Sequence, residues 1–148
     1  MRGWIIRIAI IGAIGLGAFL FRDRLSGNAG DLKVGDCFDV PVAQENIKDV
    51  QHHPCNESHT GEVISLVSHP AAKGAPLLGQ PELITFLTAQ CGAAFSQYVG
   101  VDADAQQVLD YGAFYPADSD WNDGDRSVTC YAYRLDEGQM TSSVRKAP

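Results

Sequence analysis

His52-His53-x-Cys55-x3-His59 places three imidazoles and a thiol within one short stretch, the donor types that zinc takes. A structural zinc site wants four good ligands, and no second half-site accompanies this one. If Cys55 is oxidised, only histidines remain. No metal is therefore expected: His59 makes a local hydrogen bond at the mouth of a strand, and His52 and His53 are exposed. Asp118-x-Asp120-x-Asn122 begins like a calcium loop, but its sixth position is Asp123 instead of glycine and its twelfth is Thr129 instead of a bidentate glutamate. It reads as a turn whose side chains cap backbone groups.

Catalytic chemistry finds little support. There is no Gly-x-Ser-x-Gly elbow and no glycine-rich loop to cradle phosphates. Glu62 with Asp125 could act as a carboxylate pair on a glycan, yet in so acidic a chain many such pairs can be drawn. The expectation is a protein that is not an enzyme and carries no cofactor. Trp121 and Arg126 are the strongest interaction candidates, because both types are enriched among residues that anchor binding. The structural alternative is preferred: Trp121 covers an edge of the core, while Arg126 pairs with Asp123, Asp125 or Glu62.

The chain has 148 residues and four cysteines, Cys37, Cys55, Cys91 and Cys130, all downstream of an apolar N-terminus. Disulfides persist in oxidising compartments and are rare in the cytosol, which points to a stapled domain facing outward. Four cysteines allow three connectivities. Cys37 with Cys55 and Cys91 with Cys130 is favoured, the first joining two early strand ends and the second fixing a helix to a sheet. Each would contribute about 3 to 4 kcal/mol in the chain-entropy account.

Residues 1–30 read as a membrane-directing segment. Arg2 and Arg7 precede an uncharged run from Ile8 to Phe21, and Arg22-Asp23-Arg24 follows it. That run, about 14 residues, spans roughly 21 Å as a helix, short of the roughly 30 Å hydrocarbon core. Extension back to Gly3 approaches that thickness if Arg7 snorkels to the headgroups. A single-pass anchor is expected, with cleavage as a signal peptide at Gly27-x-Ala29 the alternative. The flanking arginines balance one another, so the cysteines decide the orientation, with residues 31–148 outside.

That outer part carries seven basic residues against 17 acidic ones, a formal charge of −10. Nucleic acid and anionic lipid surfaces are poor partners for it. A basic protein partner or a cation suits it better.

Its elements read as strands, one helix, then strands. Leu32 to Val40 and Ile47 to Gln51 are apolar-rich and β-branched, and Glu62 to Val67 is a short run of strand formers. Pro81 opens a stripe of Leu83, Leu87, Cys91, Ala94/Phe95 and Tyr98 at helical spacing, closed by Gly100. Val108 to Tyr115 and Ser127 to Leu135 read as strands, and Asp136-Glu137-Gly138 as a hairpin turn into Gln139 to Val144. The expected class is α+β: a mostly antiparallel sheet with one amphipathic helix packed on a face, preceded by a transmembrane helix.

Three pieces in order, Gly35-Asp36-Cys37-Phe38, Cys55-x3-His59-x2-Glu62-Val63, and Pro116 through Trp121-x2-Gly124-Asp125-Arg126-x3-Cys130, resemble the septum-formation domain family over about residues 32 to 145. The resemblance implies a membrane-anchored, extracytoplasmic domain of actinobacterial type, associated by name with the division septum. The family's marked residues correspond here to Cys37, Cys55, His59, Glu62, Cys91, Trp121, Arg126 and Cys130. Many relatives carry larger N-terminal regions that are not seen here, and the resemblance brings no catalytic mechanism. The expected function is a binding or scaffolding module of the cell envelope with an unidentified division or envelope partner. A cation-binding sensor is the alternative, and a cell-wall hydrolase a more distant one.

Overall fold

The computed structural model describes residues 26–41 and 49–148. The expected anchor, residues 1–25 of it, lies outside the described residues. Among the described residues no helix is long and apolar enough to cross a membrane.

Among the described residues six strands, β1 (Ser26–Asn28), β2 (Cys37–Phe38), β3 (Asp49–His53), β4 (Gly61–Ser68), β5 (Leu109–Phe114) and β6 (Ser127–Arg134), form one sheet in the order β1-β3-β2-β4-β6-β5. Every neighbouring pair is antiparallel. Between β4 and β5 the chain forms a helix in three parts: α1 (Gln80–Leu87), a π-helical turn (Thr88–Gly92) and α2 (Ala93–Val99). A short α3 (Asp118–Asp123) precedes β6. The class is the expected α+β, with one long helix on the sheet.

Alternation along the strands sorts side chains onto two faces. Leu32, Phe38, Val50, Val63 and Tyr131 cluster on one, with Phe114 and Tyr133 against them. Tyr131 meets Phe38 edge-on at 5.6 Å between ring centroids and lies 4.7 Å from Phe114. Gly112 stands opposite Tyr131; a Cβ there would meet the Tyr131 ring at 2.6 Å, so only glycine fits under the aromatic ring. On the other face Ile64, Val128, Cys130 and Ala132 pack against Cys91 and Phe95 of the helix.

One extra residue in β4 adjusts this sorting. Val63 faces Tyr131 and Ser65 faces Cys130, so Ile64 is the inserted residue of a β-bulge. The insertion resets the alternation, and Ile64 and Val67, an odd number of positions apart, both reach the helix-side cluster.

The helix follows its apolar stripe. Leu83, Cys91 and Phe95 are buried, and Leu87 and Tyr98 lie half-buried beside them. It ends at Gly100, whose φ of 89° is the left-handed conformation that glycine adopts without a Cβ penalty. The π turn carries Cys91 into its bridge.

Both bridges of the favoured pairing are formed: Cys37–Cys55 closes 18 residues and Cys91–Cys130 closes 39. Cys91 and Cys130 are fully buried, whereas Cys55 is half-buried.

Three expectations are corrected. Gln139 to Val144 is not a hairpin strand. β6 is hydrogen-bonded to β4 on one side and β5 on the other, so a strand folding back after Asp136-Glu137-Gly138 would find no free edge. The chain instead makes a single bridge between Met140 and His59 and continues as a strap across the sheet. Leu32 to Val40 likewise supplies only the two residues of β2, because Gly35 turns the chain at φ 95°. Ser26–Asn28, read in the sequence as linker, pairs with β3 at the sheet edge.

Candidate functional site

β2 and β4 place Cys37 directly opposite Glu62, and His53 opposite Cys37 on its other side. Glu62 points to the helix side, where α2 and the C-terminal strap close over it, and its side chain is fully buried. It is held by donors alone. Tyr98 Oη donates to Oε1 at 2.6 Å, Ser143 Oγ to the same oxygen at 2.6 Å, and the Val144 N–H to Oε2 at 2.7 Å. Three donors satisfy a buried carboxylate that would otherwise carry a large desolvation penalty. Burial, and then the bond to Glu62, push the Tyr98 hydroxyl above its ordinary range; Arg145, its guanidinium 4.7 Å from the Tyr98 ring centroid, acts in the opposite direction.

His59 is also fully buried. Its backbone exchanges hydrogen bonds with Met140, and its Nδ1 lies 2.8 Å from the Glu57 carbonyl oxygen. Because a carbonyl only accepts, Nδ1 carries a proton, and in the neutral ring the lone pair is then on Nε2. Among the described residues that Nε2 is buried with no hydrogen-bond partner. The local bond expected of His59 is present, but His52 and His53 are not exposed. Both are half-buried, with His53 Nε2 2.8 Å from Asp39 Oδ2 and His52 Nε2 buried without a partner among the described residues, because β3 lies inside the sheet between β1 and β2.

A second polar centre lies at the far end of β4. Arg126 is nearly buried and spends its guanidinium on main-chain carbonyls: Nε donates to Ala71, Nη1 to Trp121 and Asp125, and Nη2 to Ala72. Its planar head stacks 3.8 Å from the Trp121 ring centroid. The Trp121 Nε1–H donates to the Ala75 carbonyl at 2.8 Å, and His69 packs 5.4 Å from the same ring. The carboxylate pairing expected for Arg126 is replaced for a physical reason. The Asp125 side chain is taken by the Ser127 N–H and hydroxyl, and Glu62 by Tyr98, Ser143 and Val144. Arg126 thus caps the C-terminal end of α3 and ties the 70–76 loop to it.

Asp118, Asp120 and Asn122 lie on α3, a helix and not the loop a calcium ion would wrap. Glu62 and Asp125 do not form a carboxylate pair, since their oxygens answer to separate networks. The partners that hold Glu62 and Arg126 were absent from the sequence reading: Ser143 has no distinguishing spacing, and a carbonyl of alanine leaves no mark on a sequence.

A protein-family model described as Septum formation matches residues 31–147. The chain belongs to the septum-formation family. The match covers the whole sheet from β2 onward, the helix and the strap, so the buried network is the interior of a septum-formation domain. Neither a curated protein nor a solved structure matches the chain.

Proposed function

We propose that this septum-formation domain is an anchored, outward-facing binding or scaffolding module of the cell envelope, without catalytic activity or resident cofactor. One observation carries the reading: Glu62, Trp121, Arg126 and the four cysteines of the motif are consumed in building the fold. Glu62 holds helix to strap, Arg126 and Trp121 hold loop to helix, and the four cysteines are bridged. What remains for a partner is the outer surface. That surface is strongly acidic and suits a basic envelope or division protein better than nucleic acid.

Two observations support the uncleaved, outward anchor. Cleavage after Ala29 would strip β1 from the edge of the sheet, and two disulfides require an oxidising compartment. The chain passes from the expected anchor at Phe21 to the sheet at Ser26 in a few residues, which would hold the domain close to the membrane surface.

The experiment is localisation of a fusion fluorescent outside the membrane, followed through the division cycle of the native host. Enrichment at the septum is the expected result. An even distribution around the membrane would overturn the division-linked reading.

A further inference from the structure

Cys37, His59 and Glu62, all buried, each bring one potential ligand atom within 4.8 Å of the others. In the oxidised chain the Cys37 sulfur is bonded to Cys55 and is a poor ligand. Yet His59 is set up as a metal ligand ordinarily is. Its Nδ1–H is fixed by a backbone carbonyl, and its Nε2 is buried and, among the described residues, without a hydrogen-bond partner. Glu62 Oε2 accepts only the Val144 N–H among the described residues, leaving a second lone pair.

We propose that reduction of the Cys37–Cys55 bridge converts this corner into a zinc site, with the Cys37 thiolate, His59 Nε2 and a Glu62 oxygen as ligands. The reductant is a dithiol. One of its thiolates attacks the half-buried Cys55 sulfur, the accessible end of the bridge, forming a mixed disulfide and expelling Cys37 as thiolate beside His59 and Glu62. The second thiol of the reductant resolves the mixed disulfide, leaving Cys55 as a thiol and the reductant as a cyclic disulfide. Zinc binds the Cys37 thiolate, and any proton still on that sulfur is released to solvent. The Cys55 sulfur lies 3.4 Å from the Gly35 carbonyl, which a Cys55 thiol can use as its acceptor. Tetrahedral zinc needs ligand atoms about 3.3 to 3.8 Å apart, so rotations of roughly 1 Å close the site. Cys55 or a water fills the fourth position. The Cys91–Cys130 bridge, fully buried, keeps the helix on the sheet meanwhile.

Cobalt(II) is the probe, added to the full chain in detergent as Cys55→Ser, which leaves Cys37 a free thiol without any reductant. One equivalent should give thiolate-to-cobalt charge-transfer absorption and tetrahedral visible bands, displaced by zinc. Adding His59→Gln should abolish them, while oxidised wild type shows none. If Cys55→Ser does not fold, wild type reduced on an immobilised dithiol takes its place. Absence of the bands from both preparations, their survival in the His59→Gln variant, or equal binding by oxidised wild type would overturn the proposal.

Discussion

Arg126 places a permanent charge in the interior and satisfies it with four carbonyl oxygens of the main chain. A lysine has neither the planar fork nor the stacking surface for that geometry. Arg126→Lys should therefore cost about 2 to 3 kcal/mol, close to the cost of Arg126→Ala, because either change breaks charge-assisted bonds and takes the guanidinium donor from the Ala71 and Asp125 carbonyls, whereas the Ala72 and Trp121 carbonyls keep the N–H of Ala75 and of Gly124. Denaturant midpoints of the two variants check this. Trp121→Phe keeps a smaller aromatic ring but loses the bond to Ala75 and part of the surface under Arg126, and should cost about 1 to 3 kcal/mol on the same assay. Tyr131 supplies a prediction in pH. Burial pushes its hydroxyl up to about 12, so the folded state favours the neutral phenol. Its contribution is complete below about pH 10, the unfolded value, and is lost as pH rises from there through about 12. Absorbance of tyrosinate should show Tyr131 ionising last and together with unfolding. The Tyr131→Phe variant should lack that final step.

At the scale of elements, the C-terminal strap is the part of the structure that packing decides. Ser143→Ala removes one of two hydroxyls on Glu62 Oε1 and should cost about 1 to 2 kcal/mol. Ser142→Ala, at an exposed neighbour, should stay within about 0.5 kcal/mol. Equal effects from the two in urea unfolding would mean that the strap is not held through Glu62. The helix was legible in the sequence because its stripe from Leu83 to Tyr98 and its stop at Gly100 are local signals. β4, β5 and β6 were legible for the same reason. The fate of Gln139 to Val144 was not: its hairpin-like turn is a local feature, whereas the lack of a free edge on β6 follows from which strands pair with it. The bulge at Ile64 and the embedding of His52 and His53 are likewise properties of the assembled sheet. The favoured disulfides were reachable because Cys91 sits on the apolar stripe of the helix, which must face the sheet.

For the molecule as a whole, the fold spends its most distinctive residues on its own interior. Two bridges, a buried carboxylate and a buried guanidinium fasten the strap, helix and loops to the sheet. The removal of Cys91 and Cys130 together should cost about 4 kcal/mol, a large share of what a domain of this size has to lose. The measurement that bears most directly on this account is the thermal unfolding of Glu62→Gln. An amide with its oxygen toward the Val144 N–H turns its NH2 toward the Tyr98 and Ser143 hydroxyls, which must rotate from donating to accepting, so the charge-assisted bonds of the carboxylate are exchanged for weaker neutral ones. The account predicts a loss of about 2 kcal/mol, a fall in Tm of roughly 5 to 12 °C. An unchanged Tm would contradict it, since a Glu62 that the fold does not need is a Glu62 kept for chemistry.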